Sequence, residues 1–193
     1  MRKLKLQMQM TLDGFAAGPN GEHDWSFIAG KGDPKALQQI IEMGIEIASS
    51  CDTFLLGRKQ AQSGFIDHWK NVADNQPDSP WNPFAKLIAN LRHIAFSRTE
   101  TGIAGHNLEV ENGDLATAVQ ALKNQPGKDI LTYGGVDFVS SLISLNLIDE
   151  YYIITCPVAI GSGLSIFKER KVLELESSTA FVHGKVLNKY VPV

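Results

Sequence analysis

The 193-residue chain has only two cysteines, Cys51 and Cys156. They lie far apart in the sequence, and neither belongs to a C-x-x-C pair. The sequence therefore gives no support for a disulfide framework. We expect both thiols to be reduced and buried.

Long apolar runs and an excess of basic charge are also missing. No segment is apolar over the length needed to cross a bilayer, and the first ten residues lack the continuous apolar core of a signal peptide. The formal net charge is -3, which leaves no basic footprint for nucleic acid. We therefore expect a cytoplasmic protein that binds neither nucleic acid nor membrane.

Two common catalytic patterns are absent as well. The five histidines show neither H-x-x-x-H nor H-E-x-x-H spacing, which argues against a metal site. No serine stands in a G-x-S-x-G motif, which argues against a serine hydrolase. With 44% hydrophobic and 20% charged residues, the composition is that of one globular domain over residues 1–193.

The sequence does contain an alternation of strand-like and helix-like segments. Apolar and polar residues alternate near residues 4–10, the period of a strand with one buried face. Asp33 and Pro34 then form an N-cap and first residue of an amphipathic helix. Further strands are predicted at 53–56, 93–97, 108–110, 130–133 and 151–156, with helices between them, including one capped by Asp114 and one over 136–147. This order predicts an α/β fold with a mostly parallel central sheet.

The C-terminal part changes character. Residues 172–175 and 181–190, separated by Ser177 and Ser178, predict an antiparallel hairpin at the edge of the sheet. Exposed strand edges are usually covered, and two-fold dimers are the commonest oligomers. We therefore expect a homodimer formed through the C-terminal strands.

Three predicted strand ends and one long loop carry the candidate chemistry. Ligands of open α/β sheets bind beyond the carboxyl ends of the strands, and glycines there let a phosphate approach the N–H groups of a helix start. A guanidinium can hold a phosphate through charge-assisted hydrogen bonds. Residues 11–34 lack periodicity and predict a functional loop or lid. Taken singly, each strand end also fits an ordinary surface turn. The three ends are Gly57-Arg58-Lys59, Ser97-Arg98-Thr99 and Gly134-Gly135.

These segments resemble the dihydrofolate-reductase-like superfamily, most closely the reductase domain of bacterial riboflavin biosynthesis proteins and its small stand-alone relatives. The resemblance implies a single-domain, three-layer fold of that type. It also implies an NADPH-dependent reductase that transfers a hydride to a small pterin- or pyrimidine-like substrate. The matching segments are 11–17, Asp24-Trp25, 55–59, 97–99, and the block from Gly134 through 147–150 to 157–163.

The resemblance also implies roles for individual residues. Ala16 and Ala17 are expected against the nicotinamide ribose, and Trp25 beside a planar substrate. The proton would come from water, Asp13 or Asp24. The expected contacts of the cofactor phosphates are Gly134 and Gly135 at the pyrophosphate, Arg58, Ser97 and Arg98 toward the 2′-phosphate, and Gly57, Lys59, Thr99 and Val136 around them. An NADPH-binding module without turnover remains the alternative.

The chain departs from the family pattern at three points. Gln60 stands where the family usually carries a threonine whose hydroxyl helps to bind the phosphates. The first helix offers Glu42 and Glu46 only in its second half, which argues against folate as substrate. The zinc-deaminase motifs H-x-E and P-C-x-x-C of the bifunctional riboflavin proteins are missing, so only a reductase half is expected.

Overall fold

One eight-stranded sheet organises the chain in the computed structural model, which describes residues 1–27 and 31–193. Its spatial order is β4-β3-β2-β5-β1-β6-β8-β7. Strands β1 to β6 pair in parallel, whereas β8 is antiparallel to both β6 and β7. The predicted sheet is confirmed. The strands are β1 (Leu4–Thr11), β2 (Cys51–Gly57), β3 (Arg92–Phe96), β4 (Leu108–Glu111), β5 (Asp129–Thr132), β6 (Glu150–Cys156), β7 (Leu173–Ala180) and β8 (Val186–Pro192).

Helices cover both faces of the sheet and complete the three predicted layers. The helices α1 and α4 pack on one face with Phe54, Leu56 and Leu131, and α5 and α6 pack on the other with Leu4 and Leu6. Within the described ranges, no helix is long and apolar enough to traverse a bilayer. The helices are α1 (Pro34–Ser49), α2 (Arg58–Gln62), α3 (Phe65–Asn75), α4 (Asn82–Asn90), α5 (Leu115–Asn124) and α6 (Val136–Ser144), and a 3-10 turn spans Asp24–Phe27.

Several local predictions are confirmed. Asp33 caps α1 by accepting a hydrogen bond of 2.9 Å from the backbone N–H of Lys35, and Asp114 caps α5 in the same way. Such caps satisfy N–H groups that have no partner inside the helix. Cys51 and Cys156 are free and buried, as expected.

The C-terminal hairpin is present, but its turn was placed wrongly. Ser177 and Ser178 lie inside β7, next to a register shift between Leu175 and Ser177. The chain reverses at residues 181–185, where Gly184 has a φ of 84°. The two serines suggested a turn by composition, but a left-handed backbone favours glycine, and only Gly184 supplies it.

Helix α6 is shorter than predicted, because it ends at Ser144 instead of continuing to residue 147. Asn146 adopts a φ of 55°, and the backbone N–H of Leu147 donates to the carbonyl of Leu142 at 3.0 Å. This is a Schellman-type end, in which a left-handed residue closes the last turn. The apolar period of the sequence continues past that end because Leu147 still packs in the core. The predicted lid includes residues 28–30, which lie outside the described residues.

A buried carboxylate connects the amino-terminal ends of the strands. Glu150 is 4% exposed; its Oε1 lies 2.6 Å from Lys3 Nζ and 3.3 Å from Lys189 Nζ, and its Oε2 accepts a hydrogen bond from the Tyr152 hydroxyl. Burial by itself raises the pKa of this carboxyl. The hydrogen bonds from Lys3 and Tyr152 and the charge of Lys189 outweigh burial and lower the pKa to about 2.

We expect Glu150→Gln to lower the free energy of unfolding by about 2–3 kcal/mol at neutral pH. The folded-state pKa lies below the ordinary value of 4.5, so the ionised carboxylate stabilises the fold above that pH. This contribution is lost as the pH falls from about 4.5 toward 2. Urea unfolding at neutral pH and near pH 3 measures the shrinking difference between the two proteins. Glu174→Gln, at an exposed carboxylate on β7, is the control; a difference that grows on acidification would contradict the assignment.

Candidate functional site

The candidate site lies at the carboxyl ends of the parallel strands. The chain leaves β1 through α1 and crosses β5 to reach β2, and it leaves β5 through α6 and crosses β1 to reach β6. These two connections therefore leave the neighbouring strands β1 and β5 toward opposite faces of the sheet. Such a switch point opens a crevice in α/β sheets. The structure brings the three predicted strand ends and the first loop to this one edge.

Gly134 and Gly135 form an uncapped entrance to α6. Their φ angles are 80° and 69°, and no side chain caps the helix at Gly135. The amide of Gln60 donates to the carbonyl of Tyr133 at 2.8 Å, and a Cβ placed on Gly134 would lie 2.9 Å from its Nε2. A Cβ on Gly135 would find its nearest atoms at 3.8 Å. The first N–H groups of α6 are therefore open to an anion.

Gly57 sets the position of this helix. A Cβ at Gly57 would lie only 2.8 Å from the Cβ of Phe138 in α6, so the absence of a side chain lets helix and strand pack closely. The two cations that follow Gly57 are already paired. Arg58 forms an ion pair with Glu100, and Lys59 lies 3.4 Å from Asp137, where both side chains are largely exposed. Exposed pairs of this kind are weak and can open to another partner.

A different cation, Arg98, is exposed just after the end of β3. Ser97 is buried, and its Oγ accepts a hydrogen bond of 2.9 Å from the backbone N–H of Glu100. Asn112, a residue that the sequence did not single out, donates to the carbonyls of Ser97 and Glu100 and fixes the turn. Arg98 and Thr99 are exposed on it. Arg98 forms no ion pair with any described residue, which leaves its guanidinium available.

The first loop is bound to the loop that follows β6. Ala16 N donates to the Leu164 carbonyl, and Leu164 N donates to the Ala17 carbonyl, both at 2.8 Å. The side chains of Ala16 and Ala17 are buried. An antiparallel bridge between Ala17 and Leu164 completes this pairing and holds the first loop against the loop after β6.

Asp13 joins the same two loops. Its carboxylate accepts hydrogen bonds from the backbone N–H groups of Ile160 at 3.1 Å and Gly161 at 2.7 Å. The Thr11 hydroxyl and the Gly161 N–H lower the pKa of the Asp13 carboxyl. Since these contacts favour the ionised form, they fit a residue that positions loops better than one that gives up a proton.

The other two predicted catalytic residues have opposite environments. Asp24 is exposed at the start of the 3-10 turn. Trp25 is 4% exposed, and its indole N–H is buried without a hydrogen-bond partner. Burial of an unpaired indole N–H is unusual, because buried tryptophans generally find an acceptor.

Sequence reasoning missed a polar cluster on the α1 face of the sheet. Lys185 is 3% exposed, and its Nζ donates to Gln9 Oε1 at 2.9 Å and to the Ser26 carbonyl at 2.7 Å. Gln7 and Gln9 alternate with the core residues of β1 and so face α1. Polar residues on a covered face of a central strand are the signal that could have revealed this cluster.

Comparison with known proteins assigns the chain to a family. The family model of the RibD C-terminal domain matches residues 2–187. The chain belongs to this family. It is 32% identical over 190 residues to the uncharacterized protein YyaP of Bacillus subtilis (strain 168), covering 96% of this chain and 92% of YyaP. It is 25% identical over 169 residues to YwjB of the same bacterium, covering 87% of this chain and 84% of YwjB.

Solved structures agree in fold. A Shewanella sp. PV-4 protein assigned to riboflavin biosynthesis superposes with a TM-score of 0.71 at 17% identity, covering 100% of this chain and 99% of that protein. A Thermotoga maritima diaminohydroxyphosphoribosylaminopyrimidine deaminase/5-amino-6-(5-phosphoribosylamino)uracil reductase gives 0.64 at 17% identity, and this chain spans 57% of it.

Membership in the RibD C-terminal domain family supports a reductase-like, oxidoreductase role on small molecules. It confirms the resemblance drawn from the residues. In the described part of the chain, no group of His, Cys, Asp and Glu side chains is arranged to hold a metal ion.

Proposed function

We propose that this protein is an NADPH-dependent reductase that transfers a hydride to a small heterocycle of the pterin or pyrimidine kind. The observation that carries the proposal is the uncapped N-terminus of α6 after Gly134 and Gly135, located at the switch point of the sheet. An open helix start of this kind binds the phosphates of dinucleotides. The uracil reductase activity named for the Thermotoga maritima relative favours a pyrimidine.

The residues at this edge fit NADPH. Ala16 and Ala17, held in place by their pairing with Leu164, would lie against the nicotinamide ribose. Gly135 and the first N–H groups of α6 would hold the pyrophosphate. Arg98 would bind the 2′-phosphate, since a guanidinium recognises phosphate through paired N–H donors. Arg58 would join it after release from Glu100.

When bound, NADPH supplies a hydride from its nicotinamide ring, and the protein supplies orientation and exclusion of water. Asp13 keeps the first loop against the loop after β6 and so fixes Ala16 and Ala17. The lowered pKa of Asp13 leaves Asp24 or water as the source of the proton. Trp25, buried in the same loop, would form a wall of the substrate site.

We expect Gly135→Ala to abolish NADPH binding while the protein stays folded. The new Cβ meets no atom of the chain closer than 3.8 Å but stands at the mouth of α6, where the pyrophosphate is proposed. An alanine in the left-handed conformation of residue 135 lowers the free energy of unfolding by about 1–2 kcal/mol. Fluorescence titration with NADPH tests binding, and circular dichroism checks the fold. Gly64→Ala, at another left-handed glycine with open space around it and placed before α3, controls for the backbone cost and should keep NADPH binding. Unchanged affinity in Gly135→Ala would reduce the glycine pair to a simple turn.

The choice of cofactor is expected to depend on Arg98. Loss of one charge-assisted contact should weaken NADPH binding about tenfold in Arg98→Ala and leave NADH binding unchanged. Calorimetry with both cofactors measures the change in preference. Arg92→Ala is the matched control, because Arg92 begins the same strand at the opposite edge of the sheet. An equal loss for both cofactors would rule out 2′-phosphate recognition by Arg98.

We also propose that the protein forms a homodimer through the C-terminal hairpin. Strand β7 ends the sheet order and is exposed along nearly its whole length, with Leu175 52% exposed. Sedimentation velocity should show a species of twice the chain mass, and Leu175→Asp should shift it to a monomer because it puts a charge into the apolar contact. Leu145→Asp, after α6, is the control. A monomeric unmodified protein at all concentrations would refute the dimer.

A further inference from the structure

A cluster of polar side chains lies where β1 and β6 end, on the face of the sheet that α1 covers. We name Gln9, Ser26, Cys156 and Lys185 the Lys185 cluster. Lys185 directly precedes Val186, which pairs with Thr155 of β6, and Cys156 pairs with Thr11 of β1. The cluster therefore lies at the same edge as the proposed cofactor residues, two strands away from β5.

Lys185 has no counter-ion among the residues that the structure describes. An ammonium group has three N–H donors, and two of them go to neutral oxygens, Gln9 Oε1 and the Ser26 carbonyl. No carboxylate of the described residues lies within ion-pairing distance. Burial is the main cause that lowers the pKa of Lys185. In its charged form this lysine, 3% exposed, has one unused donor and an unbalanced charge, and a buried charge of this kind is costly unless it is paired.

Neighbouring groups are unpartnered as well. Gln7 Oε1, the Trp25 indole N–H and the Ser26 hydroxyl are buried without a hydrogen-bond partner. The amide nitrogen of Gln9 makes no hydrogen bond to the described residues, because only its oxygen is engaged by Lys185 and approached by the Cys156 thiol at 3.6 Å. Buried polar groups are satisfied in the large majority of cases, so several unsatisfied groups at one edge indicate a missing partner.

Solvent reaches this face. Gln7 and Gln9 belong to β1, which has a strand on each side, yet both side chains remain partly exposed. A central strand covered completely by a helix would bury them. The partial exposure therefore shows that solvent reaches Gln7 and Gln9, beside the buried Lys185.

The unused N–H donors of this cluster favour a ligand that carries an acceptor oxygen. The third N–H of Lys185 and the amide nitrogen of Gln9 both donate, and a cationic donor disfavours the N–H donors of an amino substituent. The amides of Gln7 and Gln9, about 7 Å apart on one face, also offer an acceptor for a ring N–H. A cyclic –NH–C(=O)– edge presents this combination of groups.

We propose that Lys185 and Gln9 form the subsite that recognises a ring carbonyl of the heterocyclic substrate, with Lys185 selecting oxo over amino substituents. This inference rests on the proposed reductase function and names the substrate edge that the site accepts. No proton or electron transfer is assigned to Lys185, which is a positioning and specificity residue.

The test uses two pyrimidines of the same shape. In 6-aminouracil the ring carries two carbonyls, and in 2,4,6-triaminopyrimidine amino groups replace them. Calorimetric titration of the protein saturated with NADP⁺, which cannot deliver a hydride, should show a preference for 6-aminouracil. Lys185→Met should weaken binding of 6-aminouracil about tenfold and leave the triamino compound unchanged, because only the carbonyl accepts from the lysine. Lys185→Arg should keep most of the preference.

Controls separate this contact from a structural role. Lys189→Met changes a lysine of β8, the strand that Lys185 directly precedes. Lys189 pairs with Glu150 and Glu176 at the other edge, so this variant should keep the preference. Gln9→Leu should reduce the preference as Lys185→Met does, which gives a second variant if one of them folds poorly by circular dichroism.

Three results would overturn the inference. The first is that the unmodified protein binds neither compound or shows no preference between them. The second is that Lys185→Met keeps the preference unchanged. The third is that this variant weakens the binding of both compounds equally. Failure of the unmodified protein to bind NADP⁺ would instead refute the proposed cofactor. The two failures are distinguishable because both pyrimidines can also be titrated without the cofactor.

Discussion

The structure depends on the two-sided parallel pairing of β1 with β5 and β6. Leu4 aligns with Ile130 of β5 and Leu6 with Tyr151 of β6, so neither edge of β1 meets solvent there. Alternate residues then serve two layers, with Leu4, Leu6, Met8 and Met10 in the core under α5 and α6 and the polar residues between them under α1. A shift of one residue would exchange these faces and place the apolar set under α1 and the polar residues in the core.

The same pairing concentrates chemistry at one edge. Parallel strands end on the same side, and the crossovers to β2 and β6 leave a crevice beside β1. Gly57 lets α6 approach the sheet until Phe138 touches it, which brings the open helix start to that crevice. Asp13 then draws the first loop against the loop after β6. Backbone contacts thus build this edge, and few of its polar side chains bind to one another.

The charged groups at the opposite, amino-terminal edge of the sheet are paired. There, Glu150 lies near Lys3, Lys5 and Lys189, and each charge has a partner. At the carboxyl ends, Lys185 has no counter-ion and Trp25 and Ser26 hold buried polar atoms without partners, counted over residues 1–27 and 31–193. Unpaired polar groups beside a crevice are available to a ligand, at some cost in stability.

The sequence by itself determined the order of the strands and the strand ends that carry glycines and cations. Hydrophobic period, helix caps and strand-end glycines are local signals, and Asp33 with Pro34 or Gly134 with Gly135 can be recognised within a few residues. The turn at Gly184 and the end of α6 at Asn146 were misplaced, because serine content and apolar period are weaker signals than the left-handed backbone.

Only the tertiary structure decided which charges are paired. Arg58 and Arg98 look alike in sequence, but Glu100 comes from another strand end and engages Arg58, leaving Arg98 open. Lys185 lies 176 residues from Gln9, its hydrogen-bond partner, and no local pattern relates the two. Burial and pairing are properties of residues brought together across the sheet, and the local sequence does not encode them.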